Sequence, residues 1–114
     1  MPSPTRNAVG NISWEGVLSI TISPSSVAPN TTAEQTFTVT GLQLGDFIEV
    51  NKPTHQGGLG ISNTRCSAAN VLAIAFVNAT AATITPTSNE VYLVSIERPE
   101  NINSSGVSTL TVIQ

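Results

Sequence analysis

Apolar and polar residues alternate with a period of two along much of this chain, and β-branched residues fill many of the apolar positions. In the segment 17–22, Leu18, Ile20 and Ile22 share one parity, and the segment 35–40 reads QTFTVT. A period of two places successive side chains on opposite faces of a strand. No stretch keeps the i, i+3, i+4, i+7 spacing of an amphipathic helix. The sequence therefore predicts an all-β fold.

Turn-forming residues divide this pattern into seven or eight strands. The predicted strands are 17–22, 35–40, 46–50, 61–67, 71–78, 90–97 and 107–113, with a further extended Thr-Ile-Thr piece inside 79–89. Short strands at this spacing, without helices, are typical of an antiparallel β-sandwich of jelly-roll or immunoglobulin-like type. At 114 residues the chain fits one domain. We predict a single antiparallel β-sandwich over 15–114, preceded by an extended N-terminal arm, 1–14.

The segment 66–88 carries no charged side chain. A transmembrane helix needs about 20 predominantly apolar residues, but Asn, Ser, Thr and Pro interrupt this run. Its longest apolar piece, VLAIAFV, has the length of a strand. We therefore expect no membrane partner here and predict a central strand. Its core residues would be Leu72, Ile74 and Phe76, and the small residues facing a neighbouring layer would be Ala73 and Ala75.

The charge balance argues against a nucleic-acid partner. Four Lys/Arg residues against seven Asp/Glu give a net charge of −3, and the cations are scattered. Phosphate binding normally uses a basic patch. Ser, Thr and Asn make up about a third of the chain, so hydroxyl and amide groups are expected to cover much of the surface. A single cysteine, Cys66, excludes an intrachain disulfide and favours assembly in a reducing cytoplasm.

Candidate catalytic groups are few. A catalytic triad would have to use His55 with Asp46 or a Glu, yet His55 lies in a Pro/Gly-rich segment and no G-x-S-x-G motif is present. The single Cys and single His are too few for a structural zinc site, and no calcium-binding loop motif occurs. Gly57–Gly60 lacks the Lys-Ser/Thr of a phosphate-binding loop. We predict a non-enzymatic protein without catalytic residues, metal or cofactor.

Partner-binding candidates lie near the N-terminus. Trp14, the only tryptophan, stands where the predicted arm meets the first predicted strand. It would either cap the end of the sandwich or anchor in a partner's groove, a common use of tryptophan. Together with Arg6 and Asn11 of the arm, Trp14 forms the set of candidate partner-binding residues.

Three segments resemble a family of small tailed-phage virion structural proteins. They are TFTVTGLQLGD (36–46), CSAANVLAIAFVNATAATITP (66–86) and YLVSIERP (92–99). The spacing of Gly41, Gly45-Asp46 and Asn78-x-Thr80 follows the family pattern, although Cys66 stands where valine is expected. The resemblance covers a little over half of the chain. Within this group, the chain resembles phage capsid decoration, or cement, proteins. The resemblance does not include the N-terminal arm.

The resemblance implies a β-sandwich or jelly roll that oligomerises on a capsid shell. The expected partners are the major capsid protein and further copies of the chain, as a homotrimer. The expected location is the capsid surface of a virion assembled in the host cytoplasm. Many weak contacts would then clamp neighbouring capsid subunits, with the arm and Trp14 as the clamp. Two other functions stay open: a head- or tail-fibre module that recognises a host surface glycan, and an immunoglobulin-like adhesion module of a larger protein.

Overall fold

The computed structural model describes residues 12–99, which form six strands and contain no helix that could cross a membrane. The strands are β1 (Ile12–Ile22), β2 (Thr31–Thr38), β3 (Phe47–Asn51), β4 (Leu59–Ala68), β5 (Val71–Asn78) and β6 (Glu90–Pro99). The first sheet has the order β1-β6-β3 and the second sheet the order β2-β5-β4, and all neighbours are antiparallel. The predicted all-β antiparallel architecture is confirmed. The predicted strand 107–113 and positions 1–11 of the arm lie outside the described residues.

The two central strands supply most of the hydrophobic core. Leu72, Ile74 and Phe76 of β5 are fully buried, as the alternation predicts. On β6, the fully or almost fully buried residues are Tyr92, Val94 and Ile96. These six side chains belong to one apolar cluster, so the two sheets share a single core. Burial of a large apolar side chain stabilises a fold by about 1.5–3 kcal/mol, which makes this cluster the main source of stability.

Three strands, β1, β2 and β4, begin earlier than their sequence pattern indicates, and β4 starts at Leu59 instead of residue 61. β1 starts at Ile12 instead of residue 17, so positions 12–14, assigned to the arm, pair with β6. Gly16 and a register irregularity between Ile12 and Trp14 interrupt the apolar alternation there, which hides the strand in the sequence. β2 starts at Thr31 because Asn30, with a φ of 53°, turns the chain directly before it.

A buried asparagine organises the connection between β5 and β6. The Nδ2 of Asn78 donates to the carbonyls of Val27 (3.0 Å) and Ala82 (2.8 Å). Its Oδ1 accepts hydrogen bonds from the backbone N–H and the hydroxyl of Thr80. Val27 also forms an isolated bridge with Ile84, which confirms the predicted extended Thr-Ile-Thr piece. The Asn78-x-Thr80 pair is thus a structural turn motif, and its asparagine side chain is inaccessible to solvent.

An ion pair crosses the outer face of the second sheet. Arg65 on β4 and Glu34 on β2 form two hydrogen bonds, of 2.9 and 2.8 Å, although β5 lies between their strands. The β5 residue opposite Arg65 is Ala73 and the one opposite Glu34 is Ala75. Because both are small, the long side chains can meet above them, and Ala73 is fully buried. Among the described residues, these two alanines therefore face the paired side chains of Arg65 and Glu34 and not a neighbouring layer.

Candidate interaction surface

The outer face of the first sheet carries four of the seven large apolar side chains that are exposed among residues 12–99. Residues there alternate with the buried ones, so their side chains point away from the core. The first-sheet face comprises Glu15, Val17, Ser19 and Thr21 of β1, Val91, Leu93, Ser95 and Glu97 of β6, and Phe47, Glu49 and Asn51 of β3. On this face Leu93, Ser95 and Glu97 of β6 each have one neighbour on β1 and one on β3, whereas Val91 has a neighbour on β1 only.

Four large apolar side chains on this face are exposed to solvent. Val17 and Phe47 are each 65% exposed, Val91 50% and Leu93 46%. Single exposed apolar residues are common, but a group on one face indicates a binding surface. Val17 and Leu93 are diagonal neighbours on adjacent strands, and Leu93 follows Val91 at a spacing of two. This group therefore forms a connected strip, with Phe47 at the opposite edge of the sheet.

Three carboxylates accompany the apolar residues. Glu15 stands directly opposite Glu97 across the β1–β6 pair, and Phe47 is the β3 neighbour of Glu97. Glu49 lies one step along β3, opposite Ser95. Like charges directly opposite each other on a sheet destabilise it. The face is thus uniformly acidic, at a cost in stability.

Ser95 forms the floor of a shallow depression at the centre of this face. Three adjoining concavities include Ser95 in their lining. Their rims carry apolar side chains and carboxylates: Val17, Leu93, Phe47, Glu15, Glu49 and Glu97. The small serine on the central strand, between larger residues on both edge strands, produces this relief.

A second cluster closes the end of the domain where β1 begins and β6 ends. Arg98 Nε donates to Asp46 Oδ1 (2.8 Å), and the Nη2 group donates to Asp46 Oδ2 and to the Gly41 carbonyl, both at 2.9 Å. The Asp46 side chain is fully buried, whereas that of Arg98 is 22% exposed. Burial alone would raise the pKa of Asp46, but hydrogen bonds from Arg98 and the Gln43 N–H, with the charge of Arg98, lower it.

Trp14 belongs to this end cluster. The Arg98 guanidinium lies 5.3 Å from the centre of the Trp14 ring, within the range of a cation–π interaction. Trp14 is 44% exposed, and it lines a small cavity together with Leu42 and Ile96. The structure thus places Trp14 over the end of the core, as the capping alternative predicts, while part of the ring stays accessible. Its use as a partner anchor remains a prediction.

Arg6 and Asn11, the other two candidate partner-binding residues, lie outside the described residues. His55 is exposed in the loop between β3 and β4. The Asp46 carboxylate forms an ion pair with Arg98. Cys66 is buried, and its thiol donates to the Ala68 carbonyl. Over residues 12–99, no three His, Cys, Asp or Glu side chains are grouped to hold a metal ion.

The first-sheet face was not predicted, although the sequence contains a signal for it. Alternation assigns Leu18, Ile20 and Ile22 to the core, and this leaves Val17 at an outward position. The same parity leaves Val91 and Leu93 outward on β6. Outward apolar residues on two strands indicate a common exposed surface only when the two strands are known to be neighbours. That knowledge requires the sheet order.

Comparison of the chain with protein-family models, with curated proteins and with solved structures finds no match. The function proposed below therefore rests on the residues and geometry of this chain and on the resemblance of its sequence motifs.

Proposed function

We propose that this protein is a phage capsid decoration protein, which binds the outer shell and stabilises it by bridging neighbouring capsid subunits. The observation that carries the proposal is the first-sheet face, on which four large apolar side chains are 46–65% exposed. A face of this kind indicates a partner of complementary shape. The segments that resemble virion structural proteins direct the choice of partner toward a capsid shell.

The surface composition suits repeated weak binding. Charged residues make up only 10% of the chain, and neutral hydroxyl and amide groups cost less to desolvate than ions. When many copies, or the three subunits of a trimer, engage one lattice, individually weak contacts combine into strong retention. In this proposal the protein acts as a homotrimer on the virion surface, and assembly takes place in the host cytoplasm.

We further propose that the two sheets form an immunoglobulin-like β-sandwich. In that fold one sheet contains the order B-E-D and the other the order C-F-G. If β2 to β6 correspond to strands B to F, the second sheet is B-E-D and the first sheet pairs C with F. In this correspondence β1 lies on the other side of F, in the position that strand G takes. This correspondence supports the immunoglobulin-like alternative over the jelly roll.

The N-terminal arm is retained as a second contact to the shell. Its test is a truncation that removes residues 1–11 and keeps β1 intact, so that the fold is preserved. Reduced occupancy of the shell by the truncated chain, at an unchanged urea midpoint, would support a clamp. Unchanged occupancy would show that the arm does not contribute.

Copy number and shell binding test the proposed function directly. Purified virions should contain hundreds of copies, and recombinant protein should co-sediment with shells that lack it and raise the temperature at which those shells open. A count of about six to eighteen per particle would instead indicate a tail or fibre component. Absence of co-sedimentation and of shell stabilisation would contradict the proposal.

A glycan-recognition module is the second candidate. Trp14 and Phe47 are both exposed at the same end of the first sheet, since they are opposite Arg98 and Glu97 of β6. Aromatic rings commonly form sugar-binding platforms, but these two side chains lie on opposite faces of the sheet. A glycan array that gives a specific signal, lost in Trp14→Ala or Phe47→Ala, would favour this candidate over shell decoration.

A further inference from the structure

We propose that the first-sheet face docks a protein surface that inserts an arginine or lysine side chain into the depression at Ser95. This inference deepens the proposed function, on which it rests for the identity of the partner as a capsid shell. The occupant is defined by its chemistry: an apolar surface with a protruding cationic side chain.

The pairing of charges in the rest of the domain supports this inference. Every Lys or Arg between residues 12 and 99 has a carboxylate partner: Lys52 with Glu90, Arg65 with Glu34 and Arg98 with Asp46. The carboxylates of that range without such a partner are Glu15, Glu49 and Glu97. All three lie on the first-sheet face. Unpaired charge is therefore concentrated on the same surface that exposes apolar side chains.

The shape of the depression favours a long amphipathic side chain. Ser95 has Val17 on one side and Glu49 on the other, and Leu93 and Glu97 precede and follow it at a spacing of two. A lysine or arginine could lay its methylene groups along Val17 and Leu93 and place its charge near Glu49 and Glu97. A cation there would also relieve the repulsion between Glu15 and Glu97.

A second copy of this chain, docked face to face, fits poorly. Two such faces would bring six carboxylates together, and like-charge juxtaposition opposes association. The described cations are already paired elsewhere, so they offer no complementary surface. A basic and apolar surface of a different protein satisfies both the charge and the exposed apolar residues.

The test uses the full chain with two kinds of variant. Ser95→Arg fills the depression with an arginine from this chain itself. The triple variant E15Q/E49Q/E97Q removes the negative charge of the three carboxylates around the depression. Thr32→Arg, an exposed position on the outer face of the second sheet, is the control for the same change of charge. Urea unfolding should show that each variant is folded. Since the triple variant removes like-charge repulsion, it remains informative if Ser95→Arg fails to fold.

Binding is measured with shells and with a small probe. Ser95→Arg and the triple variant should each lose at least tenfold in affinity for shells, whereas Thr32→Arg should stay within twofold of wild type. In an NMR titration, a capped Leu-Arg-Val peptide should shift the amide signals around Ser95 in the wild type and not in the triple variant.

The outcomes separate the two proposals. Wild-type binding to shells that both face variants leave unchanged would overturn the docking face and retain shell decoration. Shifts by the peptide at Ser95 without any binding to shells would retain the face and overturn the proposed function. Peptide shifts that appear only after removal of residues 100–114 would show that the chain covers this face itself, which would contradict the proposal.

Discussion

Replacement of Asp46 by asparagine should destabilise the domain more than any other single charge removal among residues 12–99. The Asp46 carboxylate is fully buried and accepts two hydrogen bonds from Arg98 and one from the Gln43 N–H. Breaking a buried pair by removing one partner costs about 3–5 kcal/mol. Because Arg98 is 22% exposed, its guanidinium can partly rehydrate, and we expect a loss of about 2–4 kcal/mol.

The assay is urea unfolding followed by far-ultraviolet circular dichroism. With an m-value of about 1–2 kcal/mol per molar urea, the midpoint should fall by roughly 1–4 M. In a thermal scan, the melting temperature should fall by roughly 8–30 °C for a domain of this size. The exposed pair offers a matched control: Glu34→Gln removes one charge from the Arg65–Glu34 pair and should leave the midpoint nearly unchanged.

Acid should reproduce the effect in the wild type. The pKa of Asp46 is lowered from its ordinary value of 3.8, so the native state favours the ionised form. The stabilisation is complete above the unfolded-state pKa and is lost as the pH falls through the lower, folded-state pKa. The stability difference between wild type and Asp46→Asn should therefore shrink below about pH 4. A midpoint for Asp46→Asn within error of that for Glu34→Gln would refute this reasoning.

Four further predictions concern three buried polar residues. Asn78→Ala should lower the free energy of unfolding by about 2–4 kcal/mol, because it removes four hydrogen bonds inside the fold; equal urea midpoints would contradict this. Tyr92→Phe should retain or raise stability, by up to about 1 kcal/mol, because the buried Tyr92 hydroxyl has no hydrogen-bond partner; a clear loss would contradict it. Burial, with the nearby charge of Glu90, raises the pKa of Tyr92 to about 12, so absorbance titration of this single tyrosine should give a native pKa near that value and about 10 in urea. Cys66, which is 8% exposed, should react with a thiol reagent far more slowly in the native state than in urea, and equal rates would contradict its burial.

The strands with continuous alternation could be predicted from the sequence. The range of β5 is the one predicted, and the inward residues of β5 and β6 are those that the period of two selects. Prediction failed where local pattern and pairing disagree. The start of β1 is defined by pairing of Ile12 with Pro99, a partner 87 positions away, which a local pattern cannot reveal.

The candidate surface could be predicted only in part for the same reason. Trp14 was recognisable as an unusual residue, but its contact with Arg98 depends on the sheet order. The opposition of Glu15 and Glu97, and the position of Ser95 between Val17 and Glu49, depend on register across two strand pairs. Which carboxylates form ion pairs with Lys or Arg likewise depends on the three-dimensional structure and cannot be read from the sequence.

The adjacency of Ile12 and Pro99 determines how this domain responds to mechanical load. Both ends of the described chain leave from the same end of the domain, at neighbouring positions of the antiparallel β1–β6 ladder. Tension applied between these two ends would open the ladder one hydrogen-bonded pair at a time, like a zipper, so it would meet little resistance. Force directed along β1 against β6 would instead load the whole ladder at once. The domain should therefore hold firmly when pulled in shear along its long strands and yield easily when its two ends are drawn apart.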